Sequence, residues 1–304
     1  MLGFHRSGHE VDMISKSLNN LMTTLLLCSI IGVLAETQFI VQAAYCATPL
    51  GPPTFGSRDR YWGTRRAPTE ADRQKIALYR SGKKKTSFET NFTDPKELAS
   101  DWLLQSDDMP NLKSCRRPEN ISVKTGVLKL RTEIATNCKA RWSTGSMWSN
   151  FRPKYGFMEA RMKIANATGI NNAFWMTTDD GFEIDICEVH YPGTVRTTLH
   201  NHNDYQPVAG VNDWSKGKSD SVGFNNKFKD DFSADYHDYG VLWTPQVIIF
   251  EVDGEPINVI VTKGAIKGNA DIRFSTAVME YAGKIPVHPE NHDMTVKRLI
   301  VCPL

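Results

Sequence analysis

Three carboxylates, Glu183, Asp185 and Glu188, stand within ten residues of one another in Gly181-Phe-Glu-Ile-Asp-Ile-Cys-Glu-Val-His190. The rest of the stretch is Phe, Ile, Cys and Val, and β-branched residues at alternate positions indicate a strand. A strand sends residues two apart to one face, so Glu183 and Asp185 share a side while Ile184 and Ile186 point to the other. Glu188 falls five positions after Glu183 and would face the wrong way in a regular strand. One extra residue at Ile186-Cys187, a β-bulge, brings it back to the side of the other two acids. Like charges on one face of a sheet repel, so a purely structural strand has little use for such a set. Two glutamates leaning together on a curved strand can close to about 5–5.5 Å, the separation that suits double displacement at an acetal carbon. A solvated edge strand and a cation site are the competing uses of the same residues.

The elements around this stretch must hold it open on one side and buried on the other. Apolar alternation recurs at residues 121–123, 126–131, 156–164, 195–200, 239–243, 247–252, 257–261 and 294–301, with turn residues between, including the Asp253-Gly254 hairpin signal. No helical period of comparable length competes. Many short strands at this spacing predict an all-β fold, an antiparallel two-sheet β-sandwich. Residues 201–235, rich in Asn, Asp, Gly, Ser and Lys, read as a long irregular segment beside the acids.

A chain of 304 residues with 40% hydrophobic content can bury one large core, and a net charge of +2 gives no general argument for nucleic acid. Residues 21–35 form an apolar run of signal-peptide length, preceded by Lys16 and ended by Val33-Leu34-Ala35. The expectation is a signal peptide over 1–35, with Met13 as an alternative start and a second cut near Ala43-Ala44. An uncleaved anchor is the competing reading. Residues 36–85 are expected to be a linker or N-terminal extension, opened by Pro49, Pro52 and Pro53 and closed by a basic run, with a short helix over 71–79 as an option. The catalytic domain would then run over 86–304. Of the six cysteines, Cys28 leaves with the signal, and Cys115 and Cys138 are the expected disulfide in an oxidising compartment. Cys187 is expected to be a buried thiol. No cysteine or histidine spacing suits a structural zinc.

Glu183-Ile-Asp-Ile-Cys-Glu188 resembles the bulged E-x-D-x-x-E signature of glycoside hydrolase family 16, the form found in laminarinases, β-agarases, porphyranases and κ-carrageenases. Its surroundings strengthen the resemblance: Thr144-Gly-Ser-Met-Trp-Ser, Lys154-Tyr-Gly-Phe-Met-Glu-Ala-Arg-Met-Lys, Asn172-Ala-Phe-Trp-Met, His237-Asp-Tyr-Gly-Val-Leu-Trp-Thr-Pro and Phe250-Glu-Val-Asp-Gly. The similarity covers roughly residues 86–304. It implies a concanavalin-like jelly roll with a concave glycan-binding cleft, and retaining hydrolysis of a β-glycosidic bond in a secreted, extracellular, periplasmic or cell-surface enzyme. By resemblance, Glu183 is the nucleophile and Glu188 the acid/base. Asp185 is the assisting residue, hydrogen-bonded to Glu183 and helping to hold the two glutamates in different protonation states.

Sugar rings expose C–H faces, so a glycan cleft needs aromatic platforms with polar groups around them. Trp175, Trp148 and Trp142 are the expected platforms. His200 is placed by the resemblance to contact the acid or the sugar, and Arg196, with Arg141, is a candidate for a sulfated or anionic sugar. His190 and His202 carry weaker signals. Three departures from the family pattern stand out. Asn171-Asn172 replaces a common Trp-Pro pair, Cys187 replaces a methionine or valine, and the last strand lacks the usual aspartate and terminal aromatic. The expected partner is a polysaccharide: a β-1,3- or β-1,3/1,4-glucan, or an algal galactan such as agar or porphyran. No nucleic acid is expected, no membrane after signal removal, and a monomer. The chemistry requires no cofactor or metal; a structural Ca²⁺ elsewhere on the sandwich stays open. A non-catalytic carbohydrate-binding jelly roll and a transglycosylase on the same residues are the alternatives. A metal site drawing on His190 has no second ligand cluster to support it.

Overall fold

The computed structural model describes residues 47–54, 58–109, 111–206 and 218–304. The expected signal peptide and its cleavage sites, with Cys28 and Cys46, lie outside the described residues. Within them the strand alternation builds two large sheets and one small one. The first has seven strands in the order Lys218–Lys227, Thr194–Gln206, Phe182–His190, Ile170–Thr178, Ala270–Val278, Ser146–Ser149 and Trp102–Leu104. The second has nine, with Gly156–Lys163 between His237–Trp243 and Met294–Cys302 near its middle. All pairings within these two sheets are antiparallel, as the alternation predicts. A three-stranded sheet, Ser114–Arg116, Trp142–Thr144 and Thr132–Ile134, stands beside them.

The inner faces of the two large sheets form one core. Phe174, Met176, Ile184, Leu199, Ile272 and Phe274 come from the seven-stranded sheet, and Met158, Met162, Tyr239, Val241, Trp243 and Phe250 from the nine-stranded sheet. Phe174 and Phe274 face each other in register and stack with ring centroids 5.0 Å apart, which fixes the two strands carrying them. The core therefore determines which residues of the acid strand point outward.

Part of the expected linker belongs to this packing. Trp62 is 2% exposed and meets Phe182, the first residue of the acid strand, edge-on at 5.8 Å. Thr64–Arg66 adds an edge strand against Glu255–Val261. The optional helix forms over Glu70–Arg80, started by a reciprocal cap between Thr69 and Asp72. Its Ile76 and Tyr79 cover Phe157, Leu242 and Ile249 on the outer face of the nine-stranded sheet. Proline and charge content suggested a linker, but a few apolar residues at helical spacing were enough to dock it.

The irregular segment expected over 201–235 is also more ordered than its composition implied. Thr194–Gln206 and Lys218–Lys227 pair as a long hairpin, with residues 207–217 outside the described part. Among its described residues Val195, Leu199, Val222 and Phe224 face the core, and its polar outer face hides the alternation. The Cys115–Cys138 disulfide is present, and Cys187 is a buried free thiol, both as expected.

Candidate active site

The bulge lies where the spacing required it. On one side of the acid strand, Phe174 pairs with Cys187 and Trp175 with Asp185, leaving Ile186 as the extra residue. On the other side, Asp185 pairs with Thr198 and Glu188 with Arg196. Ile186 and Cys187 are both 1% exposed and both belong to the core. Two consecutive side chains facing inward are what return Glu188 to the outer face with Glu183 and Asp185.

Each acid has its own partner. Glu183 Oε2 lies 3.2 Å from His202 Nε2, and Asp185 Oδ2 lies 3.1 Å from His200 Nε2. His200 and His202 are two apart on one strand, so both point to the acid face, and their rings stack 5.9 Å apart. The expected hydrogen bond between Glu183 and Asp185 is replaced by these two histidine contacts. Glu188 accepts from two neutral donors, Asn171 Nδ2 at 2.7 Å and the Tyr281 hydroxyl at 2.9 Å.

These surroundings separate the proton affinities. Burial would raise Glu183, but the His202 hydrogen bond and the charges of His200, His202 and Arg273 hold it below the usual carboxylate value. Burial lifts Glu188 above it, against the opposing pull of Tyr281 and Asn171. Asp185 is pushed up to about 8 by burial and by the neighbouring Glu183 charge. His200 rises to about 9 because its hydrogen bond to Asp185 and the acids around it outweigh burial. The Asp185–His200 pair thus keeps a proton at neutral pH. One glutamate is held below the usual carboxylate value and the other above it, the direction of separation that two-carboxylate chemistry needs.

Trp175 and Trp148 are half-buried on the acid face, joined through Arg273, which pairs in register with both. The Arg273 guanidinium lies 4.7 Å from the Trp175 ring and 5.3 Å from Trp148, and Asp271 holds it from below. Trp175 also donates to Ser275 Oγ at 3.1 Å. Trp148, Arg273, Trp175, Asp185 and Thr198 therefore make one continuous cross-strand row. Trp142 is placed elsewhere. It sits in the three-stranded sheet, 8% exposed, with its indole donated to Glu290 and Arg141 over its ring. That packing makes it a buried structural residue rather than an open platform. Arg196 is on the acid face opposite Glu188, its guanidinium 4.1 Å above the Tyr281 ring.

Sequence reasoning gave His202 little weight and missed Asn171, Arg273 and Tyr281. His202 was accessible through strand alternation, two positions from His200, whereas Arg273 lies on a strand, Ala270–Val278, that the alternation did not single out. Asn171 read as a lost platform and turns out to hold Glu188. Tyr281 gave no signal, because it reaches the acid strand from a separate short turn, Glu280–Ala282. The ligand atoms of Glu183, Asp185 and His200 lie within 4.8 Å of one another, close enough to hold a cation, although the histidine already compensates the acids.

The profile of the family described as Glycosyl hydrolases family 16 matches residues 110–285. The chain belongs to this family. A beta-glucanase of Acetivibrio thermocellus is 27% identical over 211 residues, 66% of this chain and 58% of that protein. A kappa-carrageenase of Pseudoalteromonas carrageenovora is 28% identical over 200 residues, 56% of this chain and 49% of that one. The chain thus spans about half the length of these curated relatives. The laminarinase catalytic domain of Thermotoga maritima MSB8 superposes with a TM-score of 0.62 at 20% identity, over 73% of this chain and 98% of that one. This likeness extends to the sandwich fold as a whole.

Proposed function

We propose that the protein is a retaining endo-glycosidase that hydrolyses β-glycosidic bonds in a polysaccharide by double displacement. The observation that carries this is the opposite bias of two glutamates on one bulged strand, Glu183 towards carboxylate and Glu188 towards carboxylic acid. In the first step Glu183 attacks the anomeric carbon while Glu188 gives its proton to the departing glycosidic oxygen, leaving a covalent glycosyl-enzyme. In the second step Glu188, now ionised, takes a proton from water. The water oxygen displaces Glu183 from the anomeric carbon, and both carboxyls return to their starting states. Asp185 acts with His200 as a charged neighbour whose retained proton limits the negative charge beside Glu183. No cofactor takes part in this scheme.

Trp175 and Trp148 offer the sugar faces their support, with Arg273 between them. The substrate proposed is a β-1,3- or β-1,3/1,4-glucan or an algal galactan, in keeping with what the relatives' names record of them. Action outside the cytoplasm, by a monomer released from its signal peptide, is part of the proposal. The Cys115–Cys138 disulfide supports an oxidising compartment. Among the described residues no helix is long and apolar enough to cross a membrane. The test is reducing-end release from laminarin, mixed-linkage β-glucan, agarose, porphyran and κ-carrageenan, with Glu183→Gln as control. Cleavage of one polymer by the wild type alone supports the reading. Equal glycan binding by both proteins, without cleavage of any polymer, would make this a binding module.

A further inference from the structure

Glu188 has both carboxyl oxygens engaged, and the two partners differ in what they permit. Asn171 is fixed in orientation: its Oδ1 lies 3.0 Å from His190 Nε2, and its Nδ2 donates to Glu188 Oε1. His190 is neutral, because burial and the Arg196 charge lower its proton affinity to about 4. A neutral imidazole has one N–H, and placing it on Nε2 gives Asn171 Oδ1 its donor. An amide NH₂ only donates, and a carboxyl oxygen that carries the proton is a poorer acceptor than its carbonyl partner. The Asn171 contact therefore favours Oε1 as the carbonyl oxygen and Oε2 as the one that carries the acidic proton. That oxygen is the one covered by the Tyr281 hydroxyl.

We propose that Tyr281 is a positioning residue that stoppers the proton-delivering oxygen of Glu188 and is lifted off it by the incoming glycosidic oxygen. The inference rests on the acid/base role proposed above for Glu188. A hydroxyl can donate to the carboxylate or accept from the acid, so Tyr281 holds Oε2 in either protonation state. It stands where the leaving oxygen must come to receive the proton. It is also the partner able to yield: Tyr281 is 44% exposed on a short turn, whereas Asn171 is 8% exposed in a central strand. Arg196 beneath the ring and His190 against its edge, 5.1 Å away, guide where the phenol rests. The other charged groups around Glu188 are Glu183, Asp185 and His200, which belong to the acid strand and its neighbour and stay in place when the turn moves.

The consequence is a change in proton affinity on binding. In the free enzyme Tyr281 favours ionised Glu188; once displaced, it no longer does, and the acid holds its proton to higher pH. The upper limb of the pH profile should accordingly lie higher for kcat, which reports the complex, than for kcat/KM, which reports the free enzyme. Tyr281→Phe should raise the kcat/KM limb by ~0.5–1 pH unit, the size expected for one hydrogen bond, leave the kcat limb in place and so close the gap. Carboxyl ¹³C NMR of glutamate-labelled protein, with the Glu188 signal assigned by Glu188→Gln, should show the same rise without any substrate. Unchanged Glu188 titration in Tyr281→Phe would overturn the hydrogen bond. Equal shifts of both limbs would overturn the displacement. If no polymer is cleaved while the NMR shift appears, the acid/base reading has failed and the Tyr281 contact stands.

Discussion

The molecule carries two sets of three carboxylates, one on the outer face of each large sheet, and they are handled in opposite ways. On the nine-stranded sheet, Glu159, Asp238 and Glu251 converge on Arg80, which reaches them at 3.0, 2.9 and 3.4 Å from the end of the docked helix. Arg298 adds a second cation at 2.9 Å from Glu159, and Arg161 a third at 3.2 Å from Asp238. Gly240, between Glu159 and Glu251 in register, leaves room for the Glu251 carboxylate that any side chain would block. On the seven-stranded sheet, Glu183, Asp185 and Glu188 meet histidines, an amide and a phenol. Guanidinium groups never titrate in the working range, so the counter-charges of the first set are fixed, even though burial raises the proton affinities of Glu159 and Glu251. Imidazole and neutral donors leave the second set free to exchange protons. Fixed counter-charges mark a clasp, and adjustable ones mark a site for chemistry.

The strongest test of this contrast removes the acids themselves. Glu183→Gln and Glu188→Gln should each lower polymer hydrolysis by at least roughly 10²–10⁴-fold, with thermal unfolding close to wild type. Arg80→Met should do the reverse. Uncompensated buried carboxylates would cost about 3–5 kcal/mol, seen in chemical denaturation, while kcat per folded molecule is preserved. That loss should be greatest above pH 7 and shrink in acid. Burial already lifts Glu159 to about 7, so its protonation below that pH relieves the repulsion. A smaller effect is expected from Trp175→Ala, which should raise KM for the polymer by about 3–10-fold, the scale of one aromatic contact. His202→Gln sharpens the contrast most finely. Without the His202 hydrogen bond Glu183 should bind its proton more tightly, so the acidic limb of kcat/KM should move to higher pH.

The contrast also shows what a sequence reveals. The acid strand was readable because alternation and a five-residue offset admit only a bulge, and the structure places Ile186 and Cys187 inward as that requires. Trp175, Trp148 and His200 were singled out through the family resemblance, and the structure sets all three on the acid face. Trp142 was misjudged because tryptophan content cannot distinguish an open face from a buried edge beside Glu290. The Arg80 clasp was invisible: it joins residues 158 and 171 positions apart in the chain, in a segment whose composition suggested a linker. Tyr281, 93 residues from Glu188, was hidden for the same reason. Local pattern identifies groups on one strand or its neighbours, whereas contacts between distant turns depend on the completed fold.

The most direct measurement of the central claim is azide rescue of Glu183→Ala and Glu188→Ala, using an aryl glycoside of the oligosaccharide released from the cleaved polymer. A small anion can enter the space left by a missing nucleophile and attack the anomeric carbon itself. The account predicts that Glu183→Ala regains activity and yields the glycosyl azide of inverted configuration. Glu188→Ala should instead give the azide of retained configuration, formed from the intact glycosyl-enzyme. The inverted azide from Glu188→Ala, with no rescue of Glu183→Ala, would reverse the two roles and contradict the mechanism drawn from this site.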